Sequence, residues 1–249
     1  MKLLALDTAT STAGIAVVDD DRVLAEARHD TAGRGADLLV AIDRLCREAG
    51  VAPGELDAIA VGAGPGSFTG LRIGMATAKG IAFAANRPLW AVSSLAALAD
   101  DARNELADQQ LLVHADGVIC AALDARRGEV FAGCFRHGRS MTRGLASERV
   151  MPPGELGPWV AELVAAAGDA APVSFAGDAL DAYPALAPLA AAHTWLAART
   201  PSGRAVARLA LAGARVDITR GGAPTYIRPS EAEVLYPDGV PGALRRRDP

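Results

Sequence analysis

Aromatic side chains make up only 4% of these 249 residues, so any core must be built from aliphatic residues and alanine. Cysteine is scarcer still. Cys46, Cys120 and Cys134 are odd in number and show no C-x-x-C spacing, which argues against a disulfide framework or a zinc site. No apolar run reaches the length of a membrane span, since Pro184, Pro188 and His193 break the best candidate. Only four apolar residues lie between Lys2 and Asp7, too few for the core of a secretory signal. A reducing cytoplasm is the expected setting. Positive charge is short too: the formal net charge is −4, and Arg245–Arg247 is the one basic cluster. That cluster sits in a Pro- and Gly-containing tail and reads as a solvated end. Gripping a nucleic-acid backbone takes clustered Lys and Arg, so this chain is not expected to hold one by itself.

What the chain does have is a glycine run. Five glycines fall between Gly62 and Gly74 in GAGPGSFTGLRIG, after an apolar stretch (Leu56–Val61) and before a helical one (Thr69–Ala85). Glycines between a strand and a helix allow tight turns and leave unpaired N–H groups at the helix start, where an anion or another chain could dock. The run fits neither common phosphate fingerprint. A P-loop needs Lys-Ser/Thr after its last glycine, and here Leu71 and Arg72 follow Gly70. The dinucleotide spacing is not met by glycines at 62, 64, 66 and 70. Nor is Gly66–Gly70 a nucleophile elbow in register with a base; Ser67 or Thr69 reads as a helix N-cap.

The patterning suggests two lobes. Residues 3–7, 13–18 and 22–28 read as a three-strand meander, with the turn at Asp19–Asp21. Asp37–Ala49 is helical, with Leu38, Leu39, Ile42, Leu45 and Cys46 on one face. A strand (56–62), a helix (69–85), a strand (89–92) and a helix (95–106) complete a ribonuclease-H-like order. Ala122–Asp124 repeats Ala5–Asp7 at the end of a second strand that enters a hairpin. Helices near 153–167 and 202–216, a strand at 173–176 and irregular chain from Gly221 follow. The expected division is 1–106, 107–222 and a mostly irregular 223–249.

In four places the chain resembles the TsaB (YeaZ) family of tRNA-modification proteins: Leu4–Thr10, Gly62–Gly74, Leu123–Phe131 and Pro224–Pro229. The resemblance implies an α/β fold of the actin-like, sugar-kinase-like (ASKHA) architecture, with two lobes facing each other across a cleft. It also implies a role as the non-catalytic partner of a TsaD-like transferase. A small TsaE-like ATPase would assist in making N6-threonylcarbamoyladenosine (t6A), and tRNA would be met only through the complex. ATP and metal would belong to the partner subunits.

Such proteins hold nucleotide phosphates on hairpin turns ending in Asp. Asp7 with Thr8, Thr10 and Ser11, and Asp124 opposite, are the weak nucleotide-binding candidates; each Asp also reads as a simple turn cap. Catalytic relatives admit adenosine over a double glycine, but Gly177 is followed here by Asp178, which would repel phosphate. The TsaD relatives carry a His-x-x-x-His pair for a metal, and Ser94 and Leu98 stand in its place. No catalytic or metal-ligating residue is therefore assigned. An ASKHA phosphotransferase or a metallopeptidase-like enzyme acting alone remains the alternative.

The helix from Thr69 is apolar almost all round, and such a helix is either wholly buried or covered by another chain. Leu71, Gly74, Met75, Ala78 and Ala82 form one stripe, and Val40 lies off the main apolar face of the preceding helix. These six are the expected partner interface, shared with a TsaD-like subunit or, when the chain is alone, with a second copy.

Overall fold

In the computed structural model two sheets share one long helix between them. The structure describes residues 1–30, 35–109, 117–137, 142–167 and 172–228. The Arg245–Arg247 cluster, His114 and Pro229 lie outside these. The chain opens with β1 (Lys2–Asp7), β2 (Thr12–Asp19), β3 (Arg22–Asp30), α1 (Gly35–Glu48), β4 (Ala58–Gly62), α2 (Phe68–Ala85), β5 (Leu89–Val92) and α3 (Ser94–Asp108). It continues with β6 (Gly117–Asp124), β7 (Val130–His137), β8 (Thr142–Gly144), β9 (Arg149–Met151), α4 (Pro153–Ala166) and β10 (Val173–Ala176). It closes with α5 (Ala179–Ala182), α6 (Ala187–Ala192), β11 (Thr194–Trp195), α7 (Gly203–Leu211) and β12 (Val216–Asp217).

The first sheet runs β12-β5-β4-β1-β2-β3 and the second β11-β10-β6-β7-β8, with β9 also on β7. β1 and β6 hold the same place: each is antiparallel to the next strand and parallel to a later one. Leu3–Leu6 of β1 and Val118–Leu123 of β6 are apolar at every position because both faces of each strand are covered. Leu4 and Leu6 point into the cluster under α1 and α2, while Leu3 and Ala5 point toward α7. Likewise Ile119, Ala121 and Leu123 face α3, and Val118, Cys120 and Ala122 face α4. The result is two ribonuclease-H-like lobes, with Asp7 and Asp124 at matching strand ends.

One expectation on domain boundaries is corrected. Residues 203–217, assigned on sequence to the second lobe, complete the first. α7 packs on β1, β2, β4 and β5, and β12 pairs antiparallel with β5. Its seating is tight: a Cβ at Gly203 would collide with the β2 backbone at Ile15 and Ala16. Ser202 caps α7, its hydroxyl accepting from Ala205 N–H (3.1 Å). Asp101 of α3 holds that cap through the Ser202 N–H (2.7 Å) and hydroxyl (2.6 Å). The helix also ends at Leu211, short of the expected 216.

Candidate functional site

The glycine run is a packing seam rather than an open anion loop. A Cβ at Gly62 would strike the Asp7 carboxylate, one at Gly66 would strike Ala9, and ones at Gly70 and Gly74 would strike Thr8. The start of α2 thus lies directly on the Asp7–Ala9 loop. Two hydrogen bonds fasten it there: Thr8 Oγ1–H donates to Gly70 O (2.8 Å) and Ser67 N–H to Ala9 O (2.7 Å). Ser67, not Thr69, is the N-cap, accepting from Gly70 N–H at 3.3 Å. The helix start is therefore occupied by the chain's own loop.

Asp7 is 1% exposed and Thr8 fully buried. The Asp7 carboxylate accepts from Ala9 N–H (2.7 Å) on one oxygen and from Ser94 Oγ–H (2.6 Å) on the other. Ser94 in turn accepts from Gly64 N–H at 3.1 Å. Burial outweighs these bonds and pushes the Asp7 carboxyl up to about 6. The folded chain therefore holds more protons at this site than the unfolded one between about pH 4 and 6, so stability falls as pH rises through that window. At 1.36 kcal/mol per unit, the fall attributable to Asp7 is about 3 kcal/mol. Asp7→Asn is expected to flatten the urea-unfolding free energy across this range. Buried Asp101 and the half-buried Glu148 and Asp178 are pushed up in the same direction, and they slope both proteins equally. An unchanged pH slope in the variant would assign the dependence to those groups instead.

Asp124 is equally engaged. One oxygen accepts from Arg126 N–H (2.7 Å) and from the Tyr183 hydroxyl (2.6 Å), and the other lies 3.0 Å from Arg126 Nη1. Its own N–H donates to Asp178 Oδ1 at 2.8 Å. Gly177 turns through a left-handed φ of 119° where any side chain would hit Ala122 O, and this delivers Asp178 to that spot. Of the nucleotide-binding candidates, Asp7 and Thr8 are thus sealed from solvent. Asp124 holds its own hairpin, with a second acid beside it. Among the described residues, no three His, Cys, Asp or Glu side chains converge where a metal could sit.

The expected interface stripe is corrected as well. Leu71, Gly74, Met75, Ala78 and Ala82 are all buried within the chain, the last three in the cluster with β1, β4 and α1. A helix with two apolar stripes turns one to its own sheet, and here it is this one. Of the six predicted positions only Val40 is exposed, at 69%. The outward side holds residues left out of the expected interface: Phe83 (90% exposed), with Ala76, Gly80 and Ala84 exposed, while Ile73 and Ile81 are half-buried against the inward cluster. Beside it α1 presents Leu39, 55% exposed. Steps of three and four from Ile73 through Ala76, Gly80 and Phe83 are legible once the inward face is known.

The family model described as "TsaD: tRNA N6-adenosine threonylcarbamoyltransferase" matches residues 35–225. The tRNA threonylcarbamoyladenosine biosynthesis protein TsaB of Bacillus subtilis (strain 168) is 36% identical over 153 residues, 61% of this chain and 60% of the relative. That of Escherichia coli (strain K12) is 33% identical over 154 residues, 61% of this chain and 63% of the relative. The structure of YeaZ from Pseudomonas aeruginosa superposes with a TM-score of 0.71 at 31% identity, covering 90% of this chain and 99% of that one. The chain belongs to the TsaB (YeaZ) family. Its match spans about three fifths of the length of those two curated relatives.

Where the resemblance puts the two histidines of TsaD relatives, Ser94 is fully buried with its hydroxyl committed to Asp7, and Leu98 is fully buried against the second sheet. A metal ligand needs a lone pair facing a cavity. Leu98 has none, and Ser94 faces a carboxylate.

Proposed function

We propose that this chain is a non-catalytic subunit that seats a TsaD-type transferase on the outward face of α1 and α2, in the pathway that places t6A in tRNA. The observation that carries the reading is Phe83. A phenylalanine 90% exposed near the end of α2, on the side that also presents Ala76, Gly80 and Ala84, with Leu39 and Val40 exposed on the neighbouring α1, is the signature of a surface that another chain covers. Gly80 supports it: a Cβ there would meet nothing within 4 Å, so no internal contact explains a glycine in mid-helix. Close approach of a partner helix would. The cleft side supports the non-catalytic half, because Asp7, Ser94, Asp124 and Asp178 are bonded to one another's turns.

On this reading ATP and metal belong to the TsaD-like subunit and the TsaE-like ATPase, tRNA is met through the complex, and the work takes place in the cytoplasm. A second copy of the chain would use the same face when no partner is present. The alternative is a phosphotransferase or metallopeptidase acting alone; the two carboxylates expected to serve it, Asp7 and Asp124, are both committed to hydrogen bonds within the chain.

Reconstitution tests the proposal. Given tRNA, ATP and threonylcarbamoyl-adenylate, the purified chain is expected to transfer nothing, and the TsaD-type subunit together with it to form t6A. Transfer by the chain alone, free of partner, would overturn the non-catalytic reading.

A further inference from the structure

Residues 222–228 form no helix or strand, yet they are pinned along their whole length. The Lys79 ammonium donates to Gly222 O, and Thr225 N–H donates to Ala63 O at 2.6 Å. Arg72 Nε donates to the Tyr226 hydroxyl at 3.2 Å, and the Tyr226 ring lies 4.9 Å from that of Phe68. The Arg72 guanidinium also covers Phe68, 3.8 Å from its centroid. All of these anchors are on the first lobe. Ile227 then packs into the apolar cluster shared by the two lobes. Arg228 completes the crossing: its Nη1 lies 2.9 Å from Glu129 Oε2, at the base of the hairpin that carries Asp124.

We propose that residues 222–228 are a strap that couples the outward face of α2 to the Asp124–Glu129 hairpin of the second lobe. Two features set it apart from a chain end that simply lies on the surface. It touches the glycine run itself, since a Cβ at Gly64 would sit 2.9 Å from Thr225 O. In addition, two of its anchors, Arg72 and Lys79, are exposed residues of α2, on the helix that presents Phe83. A partner seated there, which rests on the function proposed above, would meet both anchors and so reach the hairpin through Arg228. The coupling within the chain does not depend on that partner.

Hydrogen–deuterium exchange of the full chain alone tests it. The hairpin amides of Ala125 and Glu129 bond to Glu129 O (3.0 Å) and Arg126 O (3.1 Å), which gives a protected baseline. Tyr226→Ala removes an anchor that holds the strap to Phe68 and Arg72 of the first lobe. It is expected to speed exchange of the 125–130 amides on the order of three- to tenfold, with β1 unchanged. Tyr226→Phe, which keeps the stack on Phe68, should give a smaller rise. Hairpin exchange unchanged while 222–228 itself becomes fast would overturn the strap. So would a uniform rise that includes β1, because it would report general destabilisation rather than transmission. Neither result bears on whether a partner binds α2, which the Phe83 variant below decides.

Discussion

Phe83→Asp is expected to leave the chain folded and to weaken its association with the TsaD-type partner at least a hundredfold. The free chain gains almost nothing from this ring, which is 90% exposed. An acid near the end of α2 costs the helix roughly 0.3–1 kcal/mol through the dipole, well within the stability of a domain. In a complex the balance changes. An aromatic anchor at the centre of an interface typically contributes about 2–4 kcal/mol, and its replacement also leaves a carboxylate buried without a partner. A hundredfold corresponds to about 2.7 kcal/mol, so the ring alone reaches it. Circular dichroism and thermal melting would establish the fold, and sedimentation or calorimetry the association. Val40→Asp, on the neighbouring helix, should act in the same direction, and either change should also disperse a homodimer built on this face. Undiminished association of Phe83→Asp would place the interface elsewhere.

Much of the architecture can be read from the chain because its two central strands are written without ambiguity. Leu3–Leu6 and Val118–Leu123 are apolar at consecutive positions, and runs of this length bounded by turn residues fit strands covered on both faces. Each ends in Asp before a turn, which places the two hairpins. The fate of α7 is not legible in the same way. GRAVARLAL shows an apolar face but carries no mark of which sheet that face will meet. Gly14 and Gly203, which let the helix start press against β2, lie far apart in the sequence. The glycine run is a similar case. Local reading offers an anion loop, while the partner that demands the missing side chains, Asp7–Ala9, arrives from more than fifty residues away. The site was harder still, because the two apolar stripes of α2 have nearly the same composition and only the position of β4 ranks them.

Ala78→Glu puts that ranking to its strongest test. Ala78 is fully buried in the cluster formed with Leu4, Leu6, Ile59 and Val61. A glutamate there must either carry an unpaired charge into an apolar site or take up a proton, and either route costs several kcal/mol. Its extra volume adds about 1–3 kcal/mol in a core packed at solid density. Against a total stability of about 5–15 kcal/mol, the sum is expected to leave the chain largely unfolded, seen as loss of the cooperative thermal transition. Ala78→Leu separates the two contributions: it keeps the volume, omits the charge, and should lower stability by only the packing share. Paired with Phe83→Asp the comparison is direct, because two acids five residues apart on one helix should have opposite consequences, one for folding and one for docking. A folded Ala78→Glu that had lost only its partner would mean that α2 turns its Leu71–Ala82 stripe outward after all.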